Sequence, residues 1–232
     1  MNRATIDIGS NTILLLLAQV EPFKEIAKLS EVTGLGRGLD QHGVLADESM
    51  EASLAAIRHY QEICVAHGVR AEDVIATATE AARVAKNAPE FFQRVQNETG
   101  IRVRVITGKA EAELTTKGVL FNTKFDNPEA VIMDIGGAST EFIRVLPATG
   151  RILSSVSLPV GSVRVSDWLR AGTFQGHLRH LFTREADALD SFRTPTLYCV
   201  AGTMTSLGNM HLGRKEFVED DVHGLRMRAE DV

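Results

Sequence analysis

At 232 residues, 44% hydrophobic and 24% charged, the chain is too long for one small domain and suits two, each large enough to bury a core. A net charge of −5 gives no general attraction to nucleic acid or an anionic bilayer, so neither is an expected partner, and a polyanionic ligand must be held by local amides and cations. Residues 13–18 form the longest apolar run near the start, far short of the roughly 20 residues of a membrane span. No export or anchoring follows, and the expected location is cytoplasmic. Cys64 and Cys199 lie far apart among apolar neighbours and read as reduced core thiols.

The segment Ile6-Asp7-Ile8-Gly9-Ser10-Asn11-Thr12 ends an apolar stretch with aspartate, turns through glycine and resumes an apolar run at 13–17. That is the pattern of a strand, a tight turn and a returning strand. Residues 49–67 carry Leu54, Ile57, Ile63 and Cys64 at helical spacing and stop at Gly68, which predicts an amphipathic helix. A strand at 74–76, a helix at 89–98 ended by Gly100, an alternating edge strand at 101–106 with Arg102 and Arg104 on its polar face, and a helix at 109–120 follow. Alternation of this kind predicts α/β layering. Turn residues at Phe125-Asp126-Asn127-Pro128 set the expected domain boundary, with domains at 1–125 and 126–232. Beyond it come a second hairpin, a strand at 153–158, helices at 162–170 and 183–192, and an apolar strand at 197–201 entering Gly202-Thr203-Met204-Thr205-Ser206. Trp168 reads as core. His177 and His180 read as solvated helix residues, because no third ligand is clustered with them.

The second hairpin, Met133-Asp134-Ile135-Gly136-Gly137-Ala138-Ser139-Thr140, repeats the first at an offset of 127 residues, counted from Asp7 to Asp134. Two such hairpins imply two similar domains with glycine turns facing a cleft. A carboxylate at a strand end followed by a glycine turn can hold a hydrated divalent cation while backbone N–H groups approach phosphate oxygens. The turn at 201–206 offers further amides at a helix N-terminus, or is a plain capping turn; its sequence alone leaves both open.

The segments Ile6 to Thr12, Gly108-Lys109-Ala110-Glu111-Ala112-Glu113-Leu114 with Lys117-Gly118-Val119, and Asp134 to Glu141 resemble the three signature segments of the Ppx/GppA family of exopolyphosphatases and guanosine pentaphosphate phosphatases. Leu158-Pro159-Val160-Gly161-Ser162-Val163-Arg164, Gly202-Thr203 and Val222-His223-Gly224 extend the resemblance over nearly the whole chain, in order. It implies the acetate kinase/sugar kinase/Hsp70/actin fold, that is, an actin-like ATPase fold. It implies hydrolysis of a terminal phosphoanhydride with Mg²⁺ or Mn²⁺, on polyphosphate or on guanosine pentaphosphate, and with the latter a link to the stringent response. By position, Glu111 matches the general base, Asp134 and Glu141 the acids associated with metal and water, and Arg83 a phosphate-binding arginine of the first domain. The implied phosphate cradle comprises Asp7, Gly9, Ser10 and Asn11, then Gly136, Gly137, Ala138 and Ser139, then Gly202 and Thr203.

The chain departs from the family pattern at Ala110, where a first glutamate is usual, and at Ala138 and Ala201, where glycine is usual. The resemblance also implies several tens of residues past the position of Val232, so the second domain is expected to be short at its C-terminus. An actin-like ATPase or sugar kinase, or a weakly catalytic phosphate sensor, shares the phosphate hairpins and stays open at this point, as does a homodimer.

Overall fold

The aspartate–glycine repeat is a repeat of structure. In this computed structural model, which describes residues 1–231, Asn2–Ile8 (β1) and Thr12–Gln19 (β2) form the first hairpin. Val232, where the expected second domain ends, lies outside the described residues. Asp7 pairs with Leu14 and Ile8 with Ile13, and the Gly9 amide closes the turn on the Thr12 carbonyl at 3.0 Å. Ala130–Ile135 (β6) and Thr140–Leu146 (β7) do the same 127 residues later: Asp134 opposes Glu141, Ile135 opposes Thr140, and the Gly136 amide meets the Ser139 carbonyl at 3.0 Å. Even the irregularities coincide, with register shifts at Leu17/Ala18 and at Arg144/Val145.

Lys24–Val32 (β3) extends the first hairpin antiparallel, while Val74–Ala78 (β4) and Val103–Val105 (β5) add in parallel, giving the order β3-β2-β1-β4-β5. Arg151–Leu158 (β8) and Leu197–Val200 (β9) complete the second sheet in the order β8-β7-β6-β9. The helices, in chain order, are Leu39–His42 (α1), Asp47–Ala66 (α2), Glu80–Val84 (α3), Ala88–Thr99 (α4), Gly108–Asn122 (α5), Ser162–Arg170 (α6), Phe174–Asp190 (α7), Ala201–His211 (α8) and Glu219–Val222 (α9). None among the described residues is long and apolar enough to cross a membrane.

Two compact units result. One contains residues 1–108 with 163–171, and the other 109–162 with 172–232. Thus α5 packs with the second unit. In the first, alternate strand residues Ile6, Ile8, Ile13, Leu15 and Leu17 meet Leu54, Ile57, Tyr60 and Cys64 on one stripe of α2, all fully buried. A buried stripe at helical spacing against a period-two sheet face is the pairing that fixes both elements. The Tyr60 hydroxyl donates to the Ile13 carbonyl at 3.0 Å, and burial, then the Glu31 charge, push its pKa up to about 12. In the second unit Ala112, Ala130, Ile132, Ile143 and Val145 form a smaller core, joined by Val119, Phe125, Tyr198 and Val200.

The strand expected at 197–201 ends at Val200, and 201–206 is itself the start of α8, so the expected turn is already helical. The helix expected at 183–192 is the C-terminal half of α7, which also carries His177 and His180, both exposed. The cysteines differ: Cys64 is buried and Cys199 exposed, because along β9 it is Tyr198 and Val200 that turn toward the core. Trp168 is buried, and β5 is a sheet edge that leaves Arg104 exposed.

Candidate active site

Within the second unit, α5 lays its 111/115 face against the end of β6. The Thr115 hydroxyl donates to Asp134 Oδ2 at 3.1 Å, and Glu111, four residues earlier, occupies the same helix face one turn back. Glu111 is half-buried, whereas Glu113 is exposed. Asp134 and Glu141 are directly opposed across the β6–β7 pair, so their side chains leave the sheet on one face with Cβ atoms roughly 5 Å apart. Glu141 is 4% exposed and accepts a hydrogen bond from Ser157 Oγ at 2.7 Å. Ser157 is its cross-strand neighbour on β8.

The glycine turn follows at once. Among the described residues, the amides of Gly137 and Ala138 donate no hydrogen bond, although Ala138 is only 5% exposed. Buried amides are nearly always paired, and two neighbouring N–H groups at a strand end suit an oxyanion. The segment after β8 holds this turn from behind. The Ser162 amide donates to the Gly136 carbonyl at 3.0 Å, Thr140 Oγ1 donates to the Val160 carbonyl at 2.6 Å, and Gly161 lies flat against Gly137.

Gly202 and Thr203 lie in the first turn of α8, which has no side-chain cap. Their neighbour Ala201 has φ +71°, the non-glycine residue with positive φ among those described. A Cβ in this region costs roughly 1–2 kcal/mol. Ala201→Gly is therefore expected to raise Tm, by roughly 2–4 °C for each kcal/mol relieved at this chain length, as a thermal melt will read.

In the first unit the amides of Ser10 and Asn11, the counterparts of Gly137 and Ala138, likewise donate no hydrogen bond among the described residues. Their carbonyls are engaged: that of Ser10 takes the Gly36 amide, and that of Asn11 takes the amides of Thr33 and Gly34. Ser10 Oγ accepts the Ala81 amide at 3.3 Å, so this side chain secures α3. Asp7 is exposed at the end of β1, with Leu14 in the place that Glu141 holds in the second hairpin. Arg83, on α3, gives Nε and Nη2 to Glu80 Oε2 at 3.2 and 2.9 Å and Nη1 to the Ile106 carbonyl at 2.8 Å. Glu80 Oε1 also lies 3.9 Å from Arg164 Nη2, which pairs with Asp40 at 3.1 Å. The structure thus assembles Glu111, Asp134, Glu141 and the 136–139 turn within one unit, and Asp7, the 9–11 turn and Arg83 within the other.

Glu80, Asp40, Arg164, Thr115, Ser157 and Gly161 were not singled out as site residues from the sequence. The Glu80/Arg83 and Glu111/Thr115 spacings of three and four were visible there; the pairing of Ser157 with Glu141 needs the strand register.

Burial holds the Asp134 carboxyl above its ordinary pKa, with the Thr115 hydrogen bond pulling the other way. A carboxyl whose folded pKa lies above its unfolded value stabilises the fold fully below the unfolded value, and that contribution is lost as pH rises through the folded value. In metal-free buffer at pH 7, Asp134→Asn is therefore expected to melt above the wild type. The difference should vanish toward pH 3.5, below the ordinary aspartate pKa of about 3.9.

No group of three or more His, Cys, Asp or Glu side chains able to hold a metal occurs among the described residues. The Asp134/Glu141 pair does fit a hard, hydrated cation such as Mg²⁺ or Mn²⁺, which takes one or two carboxylates and completes its shell with water and phosphate. A cation there would also offset the desolvation of Asp134.

The Ppx/GppA phosphatase family pattern matches residues 17–212. A bifunctional 3-dehydroquinate synthase/phosphatase of Fusobacterium nucleatum is 35% identical over 173 residues, 71% of this chain and 26% of that protein. Exopolyphosphatase 2 of Mycobacterium tuberculosis is 31% identical over 175 residues, 71% of this chain and 53% of that one. The chain thus spans about a quarter and about half of these curated relatives. The crystal structure of an exopolyphosphatase from Cytophaga hutchinsonii superposes with a TM-score of 0.82 at 27% identity, covering 95% of this chain and 73% of that one. The fold is the actin-like ATPase fold expected from the sequence.

Proposed function

The chain belongs to the Ppx/GppA phosphatase family, and on that premise we propose that it hydrolyses the terminal phosphoanhydride of inorganic polyphosphate or the 5′-phosphate of guanosine pentaphosphate. The observation that carries this reading is the cluster on one face of the second sheet: Glu111 one turn from Thr115, Thr115 hydrogen-bonded to Asp134, Asp134 opposed to Glu141, and just beyond them two amides that donate no hydrogen bond among the described residues. A lone glycine turn serves any nucleotide-binding protein, but a base candidate beside an acid pair and a phosphate cradle suits attack by water. The exopolyphosphatase names of the Mycobacterium and Cytophaga relatives favour polyphosphate as substrate.

In this mechanism the amides of Gly137 and Ala138 and the first turn of α8 at Gly202–Thr203 bind oxygens of the terminal phosphate. Backbone donors fixed before the reaction cost no reorganisation when charge develops. Glu111 accepts the proton of the attacking water and orients it for in-line displacement. Asp134 and Glu141 would hold Mg²⁺ or Mn²⁺, which would supply charge neutralisation for the transferred group. Within the first unit, Arg83, fixed by Glu80 and the Ile106 carbonyl, and the amides of the Asp7–Asn11 hairpin are the phosphate-binding candidates that the family resemblance names.

Orthophosphate release from polyphosphate, guanosine pentaphosphate and ATP, each with Mg²⁺ and with excess chelator, tests the reading. Metal-dependent release from one of the first two well above that from ATP is expected. ATP turnover that exceeds both would replace it with an actin-like ATPase or kinase.

A further inference from the structure

Each acid of the pair accepts a hydrogen bond from a hydroxyl on a neighbouring element. Thr115 on α5 reaches Asp134 Oδ2 at 3.1 Å, and Ser157 on β8 reaches Glu141 Oε1 at 2.7 Å. Asp134 Oδ1 accepts no hydrogen bond among the described residues. The opposed register points that free oxygen's carboxylate to the same sheet face as Glu141.

We infer that Thr115 is a positioning residue for the acid pair: by binding one oxygen of Asp134 it fixes the carboxylate's plane and presents the other oxygen beside Glu141. A hydroxyl has one proton to give, and here it goes to the carboxylate rather than back to the helix. The β-branched side chain also restricts χ1, so the donor stays aimed. α5 is itself held against the sheet through buried Ala112 and through Val119. The same contact ties Glu111 to the pair, because Thr115 sets which face of α5 lies over β6. Hydrogen bonds that orient ligating carboxylates commonly change metal affinity or activity 10–100-fold when removed. The catalytic consequence rests on the proposed phosphatase reading, whereas the orienting role concerns the second unit alone.

Thr115→Val removes the hydroxyl and keeps the shape, and Thr115→Ser restores the donor. Two readouts apply: Mn²⁺ binding to substrate-free protein by calorimetry, and kcat and KM for phosphate release. The valine protein is expected to bind Mn²⁺ about tenfold more weakly and to lose about tenfold in kcat. Its KM should hold, since the cradle amides are untouched, and the serine protein should recover most of both losses. Thr115→Ala, which keeps a strong helix former at the site, serves in place of valine if the latter melts below assay temperature. Wild-type Mn²⁺ affinity in the valine or alanine protein overturns the inference, as do equal losses in the serine and valine proteins, which would point to packing alone. Mn²⁺ binding that depends on Thr115 in a protein inactive on both substrates would uphold the positioning role and remove the proposed activity. Robust phosphate release with a silent valine variant would do the reverse.

Discussion

Glu111→Gln is expected to lower kcat for phosphate release by roughly 10²–10⁴-fold, the usual contribution of a positioned general base. The amide keeps the side chain's shape but cannot take a proton. Substrate binding should be kept or slightly tightened, since one negative charge near a polyanion is gone. Stability should move by no more than a few tenths of a kcal/mol. Glu113→Gln is the control: two positions on, it points about 200° round the helix, and it is exposed. Equal behaviour of the two variants would remove Glu111 from the mechanism. The contrast is sharp because the Thr115–Asp134 hydrogen bond identifies which face of α5 meets Asp134.

Gly161→Ala is expected to be nearly as damaging for a wholly different reason. A Cβ at this position would lie 2.6 Å from the carbonyl carbon and oxygen of Gly137 and 2.7 Å from the amide nitrogen of Ala138. These are backbone atoms of the 136–139 turn and cannot rotate aside. The turn or the segment behind it must shift, and the Ser162–Gly136 and Thr140–Val160 hydrogen bonds resist that. Overpacking of this kind costs about 1–3 kcal/mol. A displacement of about 1 Å in a phosphate site can cost 10²-fold in rate. The expected result is a folded protein with Tm lower by several degrees and kcat/KM reduced by about two orders of magnitude. Gly176→Ala on α7, where a Cβ meets open space, should retain full activity. Unchanged kinetics in the Gly161 variant would show that the 136–139 turn does not position substrate.

The aspartate–glycine hairpins were legible because they depend on local chemistry: an apolar strand, a turn that needs glycine and a returning strand. The 127-residue offset carried enough information to anticipate equivalent hairpins, and the matched register shifts at Leu17/Ala18 and Arg144/Val145 follow from that repeat. Strand β3 was not legible, because as a sheet edge it leaves most of its residues exposed and so shows no apolar alternation. The start of helix α8 was legible only as a glycine turn leading into a helix, because Gly202, Thr203, Thr205 and Gly208 are poor helix formers that hide how early it begins. Packing decides there: a Cβ at Gly208 would come within 2.9 Å of Val222 on α9. The grouping of residues 163–171 with the first unit depends on contacts such as the Gly38 amide to Asp167, 129 residues apart, which no local pattern announces.

At the site, residue types with distinctive chemistry stood out, and their supports did not. Glu111 and Glu141 came from motif resemblance, Glu111 because glutamates on a helix are ordinarily solvated, whereas Asp134 was legible also from its place at a strand end before a glycine turn. Thr115 and Ser157 are unremarkable in sequence and become meaningful only once α5 is laid on β6 and β8 is paired with β7. Ala201 was visible as a departure from glycine, and its φ of +71° supplies the physical reason that glycine is usual there.

Hydrolysis in ¹⁸O-labelled water tests the central claim most directly. With polyphosphate or guanosine pentaphosphate and Mg²⁺, mass spectrometry should find one solvent ¹⁸O in each orthophosphate released at first turnover, and the remaining chain or nucleotide should carry none. Release with the label on the shortened product, transfer of the phosphoryl group to another acceptor, or no orthophosphate from a folded protein would contradict it.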